Sequence, residues 1–492
     1  MSEPTHFDLI ILGSGSGNSL VTPDFEDKRT AIVEAGVFGG TCLNVGCIPT
    51  KMFVYAAEVA DAVRGAARYG IDATLDGVRW RDIRDRIFGR IDPISEGGLD
   101  YRRDSGHTEA YLGHGRFVSD REIEVEITRE DGTGRFPVGS RQRITGDQIV
   151  IATGSRPTVP HVISEAGVSF HTSETVMRID ELPASMVIVG GGVIAAEFAH
   201  VFAALGVDIT VVARSGRLMR AFDEEISQAF TDLARQRWTV HTDAEPTAAR
   251  ESADGVELDL ADGTTVAAEL LLVATGRRPN SDDLGLEHTG VRTHADGRVV
   301  VDEHARTDVP EIFALGDVCS PYQLKHVANQ EARVVAHNLV HPTTPHTVDH
   351  RFVPAAVFSD PQLATVGLTE EQAREQGYDV TTKTQKYGDT AYGWAMEDTT
   401  SLFKVVGDRR TGGLLGAHAM GPHSSSLIQP VIQALSLAGP AGPPSVLQLA
   451  RGQYWIHPAL AEVLENALLG LEVSPHEDPT ASYDPAGEGE EA

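Results

Sequence analysis

The chain has 492 residues, a formal net charge of −30, 41% hydrophobic residues and three cysteines. This excess of negative charge argues against nucleic acid as a partner, and no apolar run is long enough to cross a bilayer. Three cysteines exclude a disulfide-stapled scaffold, and the N-terminus shows no secretion signal. We therefore expect a cytoplasmic protein of three or four domains that binds neither nucleic acid nor membrane.

The first predicted element is an apolar strand over residues 7–12 that runs into a glycine-rich turn. Glycines let a backbone approach a pyrophosphate, a following helix stabilises its charge, and a carboxylate about twenty residues on accepts ribose hydroxyls. Asn18 stands where this fingerprint has its third glycine. The pattern predicts a dinucleotide site, although the turn alone also fits a glycine-rich loop without a ligand. The positions concerned are Gly13, Gly15, Gly17, Asn18 and Glu34.

The next motif places Cys42 and Cys47 close together, shortly before Lys51. A redox dithiol is one interpretation, and two buried thiols or half of a metal site are the alternatives. No second cysteine pair or close histidine cluster would complete a metal site, so we expect no metal. A pair that forms a disulfide in a reducing cytosol is typical of a catalytic dithiol.

A second fingerprint follows long helical stretches over about 50–105 and alternating strand patterns over about 110–145. The strand that comes after this fingerprint, residues 208–212, ends at arginines rather than at an acid. Guanidinium groups without a competing carboxylate favour the 2′-phosphate of NADPH, and a solvated basic turn is the alternative. The fingerprint has Gly190, Gly192 and Ala195, and the arginines are Arg214, Arg217 and Arg220.

The last third of the chain has strand-like runs at 402–406 and 414–417 and an apolar helix near 424–438. Pro458 is predicted in the first turn of a final helix whose apolar stripe is Leu460, Val463, Leu464 and Leu468. Glu462 would then orient the imidazole of His457 just before this helix. Alone, a histidine at this position also fits a cap or a surface residue.

Taken in order, these motifs make the chain from about residue 7 to 470 similar to the pyridine nucleotide-disulfide oxidoreductases. This flavoenzyme family includes glutathione reductase, dihydrolipoamide dehydrogenase and mercuric reductase. The resemblance rests on the two fingerprints, the paired cysteines and the motifs at 152–154, 274–280, 312–317 and 457–462.

The resemblance implies an α/β fold with two Rossmann-like dinucleotide-binding domains, for FAD and NADPH, and a C-terminal α+β dimerisation domain. With the order of the elements, it predicts an FAD domain of residues 1–155 and 279–345, an NADPH domain of 156–278 and a dimerisation domain of 346–474. Residues 475–492 are acidic, have no Lys or Arg and have few apolar side chains, so we predict that they are disordered.

Cofactor roles follow from the family at the matching positions. Asp317 would bind the ribityl chain of FAD, a role compatible with capping the next helix. Val193 stands where some relatives have a tyrosine that gates the nicotinamide pocket. The implied FAD residues are Gly13, Gly15, Gly17, Asn18, Glu34, Gly40, Thr41, Lys51, Thr153, Gly154, Gly316 and Asp317. The implied NADPH residues are Gly190, Gly192, Ala195, Glu197, Arg214, Arg220 and Gly276.

The family also implies six catalytic residues. Cys47 would lie against the flavin, while Cys42 attacks the substrate disulfide. A histidine oriented by a carboxylate would hold the proton. Lys51 and Glu197 would form an ion pair near the flavin N5, although an ordinary helix-surface pair also fits them. Cys319 is predicted to be a buried bystander. The six are Cys42, Cys47, His457, Glu462, Lys51 and Glu197.

The resemblance further implies a homodimer in which His457 of one subunit serves Cys42 of the other. Residues 15–23, 51–58 and 454–460 resemble the branch of the family that reduces mycothione, the disulfide of the actinobacterial thiol mycothiol. The alternatives are dihydrolipoamide dehydrogenase, which the arginine cluster opposes, glutathione reductase, and a flavin-loaded redox sensor without turnover. Mercuric reductase is disfavoured because no cysteine pair ends the chain.

Overall fold

The structure is a computed structural model and describes residues 3–438 and 442–474. The first unit is built on a six-stranded sheet, in which the antiparallel strand Glu122–Ile127 joins two long neighbours. Successive strands are added to one side of the central first strand and then to its other side. Such a change in strand order is the switch point at which α/β sheets bind dinucleotides. The parallel strands lie in the spatial order Thr108–Ser119, Thr30–Glu34, Thr5–Leu12, Arg141–Ile151 and Ile312–Ala314.

The turn after the first strand differs from the predicted fingerprint. It continues into the short 3₁₀ helices Gly17–Leu20 and Pro23–Phe25 rather than into an α-helix. Pro23 has no N–H to donate and disfavours helical backbone at the residue before it, so an α-helix cannot extend through this segment. The α-helices of the unit lie elsewhere, at Gly40–Asn44, Cys47–Gly65, Trp80–Asp104 and Lys325–Val340.

The second unit is a parallel five-stranded sheet covered by an antiparallel three-stranded one. The strands of the first lie in the order Thr239–His241, Asp208–Val212, Ser185–Val189, Leu270–Val273 and His171–Thr172. Those of the second are Pro246–Ser252, Gly255–Leu260 and Thr265–Ala268. The helices are His161–Ser164, Val193–Ala204 and Glu224–Arg237.

The chain enters and leaves the second unit through one antiparallel pair of strands, Ser155–Pro157 and Arg277–Pro279. Arg277 ties the pair together, because its Nε donates to the Ser155 hydroxyl at 2.8 Å and its Nη2 donates to the Ser155 carbonyl at 2.6 Å. The two nucleotide-binding folds are therefore joined at one narrow crossing.

The third unit is an antiparallel five-stranded sheet with helices packed on it. The predicted helix near 424–438 is two helices, because Pro430 cannot donate the hydrogen bond that would continue the first one. The strands lie in the order Ala355–Val357, Leu363–Gly367, Leu414–Met420, Leu402–Asp408 and Val380–Lys386. The helices are Glu370–Glu375, Ala391–Ala395, Ser424–Leu427, Gln429–Leu437, Val446–Arg451 and Ala461–Leu469.

A continuous apolar core joins the three units. Phe53 of the helix Cys47–Gly65 stacks on Trp80 with 5.0 Å between ring centroids, and Trp80 contacts Phe202 of the second unit at 5.6 Å. Phe202 lies on the helix Val193–Ala204, so this packing holds the cysteine-bearing helix against the helix of the second fingerprint.

A buried lysine adds a polar connection between the second and third units. The Lys404 side chain is 4% exposed, and its ammonium lies 3.0 Å from Asp223, 3.3 Å from Glu225 and 2.8 Å from Glu370. A buried charge needs such partners to offset its desolvation. Within the described ranges, no helix combines the length and hydrophobicity needed to cross a membrane.

Candidate redox site

The two paired cysteines lie on consecutive helices of the first unit. Cys42 is in the short helix Gly40–Asn44 and is half-buried, while Cys47 is the exposed first residue of the helix Cys47–Gly65. Gly40 has φ +72°, and a Cβ there would lie 2.5 Å from the Cα of Gly15. Only glycine fits this approach, which brings the dithiol against the first fingerprint turn.

Both thiols are reduced, and each changes the acidity of the other. A hydrogen bond from Cys47 lowers the pKa of Cys42 to about 7, and the charge of Lys325 and the backbone amides of Cys47 and Ile48 act in the same direction. The pKa of Cys47 is raised by the bond to Cys42, by burial and by the charge of Glu197. Cys42 is therefore the more acidic of the two thiols, and the thiolate is the reactive form of a cysteine.

Lys325 is a site residue that the motif analysis missed. It opens the helix Lys325–Val340, and its Nζ donates to the Ser16 hydroxyl in the first fingerprint turn at 2.8 Å. A cation in the first turn of a helix opposes the helix dipole. A lysine at this unfavourable position indicates a role outside the helix, and it can be noticed in the sequence once the start of the helix is known.

The first fingerprint has the geometry of a dinucleotide cradle. A Cβ on Gly13 would lie 2.3 Å from the Ala152 carbonyl oxygen, so the turn packs on the neighbouring strand end. Glu34 accepts hydrogen bonds from the Ser14 amide at 2.8 Å, the Ser14 hydroxyl at 2.6 Å and the Gly36 amide at 2.6 Å. These bonds fix its carboxylate at the strand end, where it has further lone pairs for ribose hydroxyls.

Two predicted FAD residues bind protein groups instead of facing an open cleft with their side chains. The Asn18 amide oxygen accepts from Arg102 Nε at 2.7 Å, and its carbonyl accepts from Nη2 of the same arginine at 2.7 Å. The Thr153 hydroxyl donates to the Asn280 carbonyl at 2.8 Å. Both contacts stabilise the shape of the cradle. The bonds to Arg102 also explain why an asparagine stands where the fingerprint has its third glycine.

Asp317 lies between the first unit and the crossing strands. Its Oδ2 accepts from the Ser155 hydroxyl at 2.7 Å, while the preceding Gly316 amide donates to Glu331 at 2.6 Å. Burial raises the pKa of Glu331. Cys319, three residues after Gly316, is buried and donates weakly to the Gly316 carbonyl at 3.5 Å. Among the described residues, no hydrogen bond joins Cys319 to Cys42 or Cys47.

The second fingerprint is close-packed on one side and open on the other. A Cβ on Gly190 would lie 2.2 Å from the Ala274 carbonyl oxygen, Ala195 is buried, and a Cβ on Gly192 or Gly276 would meet no atom within 4 Å. This combination of a tight turn and an open backbone fits a bound pyrophosphate.

The predicted cluster of three arginines is divided. The sequence predicted that Arg217 would bind a ligand phosphate together with the other two. Arg217 instead pairs with Glu224, with 3.1 Å between Nη1 and Oε1. Arg214 and Arg220 are exposed and have no hydrogen-bond or ion-pair partner among residues 3–438 and 442–474. Unpaired guanidinium groups are suited to a phosphate.

The predicted ion pair between Lys51 and Glu197 is not formed. Lys51 Nζ lies 3.3 Å from Glu58 Oε1 on its own helix and 4.5 Å from the ring centroid of Phe358. Glu197 accepts from the Phe358 amide at 2.9 Å. Burial raises the pKa of Glu197 to about 7, while the Phe358 amide and the charge of Lys51 oppose that rise. The two side chains are thus electrostatic neighbours without direct contact.

The predicted histidine and glutamate are in contact. Nδ1 of His457 lies 2.6 Å from Oε1 of Glu462, and the histidine side chain is 69% exposed. The other oxygen of this carboxylate, Oε2, accepts from the Ala459 amide at 3.1 Å. The bond to His457 lowers the pKa of Glu462. Within the described ranges, no hydrogen bond joins His457 to either Cys42 or Cys47.

The prediction for Pro458 was wrong. The last helix begins at Ala461, and the His457–Pro458 peptide bond is cis. The Glu462 carboxylate folds back to accept from the Ala459 amide, so residues 458–460 form a bend before the helix. This bend, rather than a helical turn, presents the imidazole.

Comparisons with known proteins find relatives over nearly the whole chain. Residues 7–332 match the model of the pyridine nucleotide-disulphide oxidoreductase family, and residues 353–468 match its dimerisation domain. Mycothione reductase of Mycobacterium tuberculosis is 54% identical over 94% of this chain and 99% of its own. Dihydrolipoyl dehydrogenase of Bacillus subtilis is 31% identical over 95% of this chain and 98% of its own.

A solved structure has the same fold. The Cu(II) complex of the HOCl-induced flavoprotein disulfide reductase RclA from Escherichia coli superimposes with a TM-score of 0.81 at 27% identity, covering 94% of this chain and 99% of that one. The family model covers more than half of the chain, and the dithiol, both fingerprints and the C-terminal unit lie within the matched ranges. The chain belongs to the pyridine nucleotide-disulphide oxidoreductase family.

Proposed function

We propose that this chain reduces mycothione to mycothiol with electrons from NADPH, which pass through FAD and the Cys42–Cys47 dithiol. The observation that carries the choice of substrate is the 54% identity to mycothione reductase across nearly the full length of both chains. The reduced dithiol, with one thiol acidified to a pKa of about 7, supports disulfide exchange as the reaction.

The first fingerprint turn and Glu34 would hold FAD, which would carry the electron pair from NADPH to the Cys42–Cys47 disulfide and so restore the two thiols. The thiolate of Cys42 attacks one sulfur of the substrate, which forms a mixed disulfide and releases the first thiol. Cys47 then attacks Cys42, which releases the second thiol and closes the Cys42–Cys47 disulfide. His457 holds the proton that each departing thiolate takes up, and Glu462 keeps its Nδ1 occupied so that Nε2 faces the substrate.

We also propose that the chain acts as a homodimer with shared active sites. The matched dimerisation domain supports the dimer. The exposure of His457 and the absence of a bond from it to its own dithiol, in the part of the chain described, support its service to the cysteines of a second copy. A symmetric dimer would then contain two such sites.

The cofactor assignment and the location of the protein belong to the same proposal. Residues 1–155 and 279–345 hold FAD, residues 156–278 hold NADPH, and residues 346–474 form the dimer interface. The cradle of Gly13 and Glu34 supports the assignment of FAD, and the open backbone at Gly192 supports that of NADPH.

We place the protein in the cytoplasm. The predicted acidic tail, 475–492, lies outside the described residues.

Arg214 and Arg220 are expected to select NADPH over NADH. Replacing either by methionine removes a guanidinium that is free to bind the 2′-phosphate, so the kcat/KM for NADPH should fall about 10- to 100-fold, with little change for NADH. Arg217→Met is the matched control, because Glu224 already occupies Arg217. An equal loss for all three variants, or for both nucleotides, would contradict the assignment.

Alkylation of Cys42 in the NADPH-reduced protein should titrate with a midpoint near pH 7. Cys47→Ala removes the hydrogen bond that stabilises the thiolate, so the midpoint should move up toward the ordinary value of 9.0. Lys325→Met should move it in the same direction by a smaller amount. The rate of iodoacetamide labelling at each pH, resolved by mass spectrometry of the Cys42 peptide, measures the midpoint. A midpoint that stays put in Cys47→Ala would refute the thiol hydrogen bond.

The test of the function follows NADPH consumption by the FAD-loaded protein with mycothione, glutathione disulfide and lipoamide in parallel, and repeats the series with NADH. We expect turnover with mycothione and NADPH. Preference for lipoamide with NADH would reassign the chain to a dihydrolipoamide dehydrogenase activity. Turnover with no disulfide, in a protein that still binds FAD, would indicate a redox sensor.

A further inference from the structure

The two fingerprints of this chain differ in the helix that follows them. Gly190 and Gly192 lead into an α-helix of 12 residues, Val193–Ala204, whereas the first turn leads into a 3₁₀ helix of four residues, Gly17–Leu20. The positive end of a helix dipole stabilises an anion at the helix N-terminus. A single turn has only a small dipole, and its negative end lies close to the same anion. The first fingerprint therefore offers a pyrophosphate less of this stabilisation than the second.

The side chain of Arg102 takes the place of the next helical turn. If an α-helix continued from Gly17, the Asn18 carbonyl would accept a hydrogen bond from the amide four residues on, that of Thr22. The Thr22 amide donates instead to the Leu20 carbonyl at 2.9 Å, and Arg102 Nη2 donates to the Asn18 carbonyl at 2.7 Å. Arg102 Nε also holds the Asn18 side chain, at 2.7 Å from Oδ1. The carbonyl end of the turn is thus bound by a cation.

This cation has no anionic partner in the described part of the chain. Arg102 is half-buried, its hydrogen bonds go to Asn18, and no carboxylate among residues 3–438 and 442–474 lies within ion-pair distance of it. Burial lowers the pKa of Arg102, and Tyr101 alone opposes that shift. A guanidinium stays charged even so. A half-buried charge without a counterion is suited to an anionic ligand.

We propose that Arg102 is a positioning residue for FAD that replaces the missing helix of the first fingerprint. Its guanidinium neutralises the carbonyl end of the turn Gly17–Leu20 and strengthens the positive field that the amides of this turn present to the pyrophosphate. Lys325 adds a second cation to the turn, because its Nζ donates to the Ser16 hydroxyl at 2.8 Å. This inference rests on the proposed function only in taking FAD as the cofactor.

The dissociation constant of FAD tests the proposal, measured by equilibrium dialysis of the FAD-loaded full chain. Arg102→Gln keeps an amide donor but removes the charge, so the dissociation constant should rise about 10- to 100-fold. Arg102→Lys keeps the charge near the turn, so its constant should stay within about fivefold of the wild-type value.

The next residue on the same helix provides a matched control. Arg103 pairs with Asp100 and donates to the Asp131 carbonyl, so its charge already has a partner. Arg103→Gln should therefore leave the dissociation constant of FAD within about threefold of the wild-type value.

Phosphorus NMR of the FAD-loaded protein separates a charge that acts on the pyrophosphate from general support of the fold. The resonances of the two phosphorus atoms respond to the charge and hydrogen bonds around them. Arg102→Gln should move at least one of them by more than its linewidth, and Arg103→Gln should leave both in place. If Arg102→Gln retains no FAD while Arg102→Lys does, the role of the charge is supported as well.

Four results would overturn the proposal. They are an unchanged dissociation constant in Arg102→Gln, an equal loss of affinity in Arg102→Lys, an equal loss in Arg103→Gln, and weaker binding in Arg102→Gln with unshifted phosphorus resonances. None of these measurements needs a disulfide or turnover. A protein that binds FAD in this way but reduces no disulfide would refute the proposed function and leave this inference intact.

Discussion

Cys42→Ser is expected to abolish reduction of any disulfide substrate, with a loss in kcat of at least about 10³-fold, because a hydroxyl of ordinary acidity cannot replace the thiolate nucleophile. NADPH should still bleach the bound flavin once, since that half-reaction does not use Cys42. Stopped-flow absorbance of the flavin and steady-state consumption of NADPH measure the two steps separately. Loss of both steps together would indicate a folding or cofactor-binding defect instead.

The second cysteine should give a different product. In Cys47→Ser the mixed disulfide between Cys42 and one substrate thiol forms but has no internal thiol to resolve it. Intact mass spectrometry should therefore find the protein heavier by one substrate thiol. Cys319→Ser is the control, because Cys319 is 8% exposed and its thiol bonds to the Gly316 carbonyl, so the variant should remain active. An adduct on Cys47 in Cys42→Ser would reverse the proposed roles.

His457→Ala should lower the rate of disulfide reduction about 10²- to 10⁴-fold, the usual contribution of a positioned acid or base. Glu462→Gln should cost less, about 10- to 100-fold, because it weakens a charge-assisted hydrogen bond but leaves the imidazole in place. Flavin reduction by NADPH should be unaffected in both variants. Rapid kinetics of the two half-reactions, with mycothione as the oxidant, provide the measurement.

Subunit exchange tests where this histidine acts. Cys42→Ser and His457→Ala are each expected to keep at most about 1% of the wild-type activity alone. A mixed dimer nevertheless contains one site with both groups intact if the histidine serves the partner's dithiol. Random exchange should then restore about one quarter of the wild-type activity. No recovery, in a mixture shown by native mass spectrometry to contain mixed dimers, would place both groups in the same subunit.

Much of this fold was predictable because its signals are local in the sequence. The glycine turns follow their strands directly, and His457 and Glu462 are five residues apart, so short-range patterns indicated both the cradles and the imidazole–carboxylate contact. The crossing at Ser155–Pro157 lies beside the motif at 152–154, which helped to indicate where the second nucleotide-binding fold is inserted.

The remaining features depend on competition between groups distant in sequence. Lys51 contacts Glu58 rather than Glu197, and no pattern in the chain ranks the two acceptors. Lys404 lies within a strand-like apolar run and gives no sign that three carboxylates from two units surround it. The turn after Gly17 was expected to be α-helical because the fingerprint usually precedes one, and Pro23 overrode that expectation.

The crossing pair Ser155–Pro157 and Arg277–Pro279 has a consequence for how such a chain could be rebuilt. Paired strands lie about 4.8 Å apart, so the residues between them, 158–276, leave and rejoin their host at adjacent points. A segment with adjoining ends can be cut out and its host resealed by a short turn, or exchanged for another insert, without separating the flanking backbone. The segment 158–276 can therefore be exchanged as one continuous stretch of the gene, and the specificity for the electron donor would change with it.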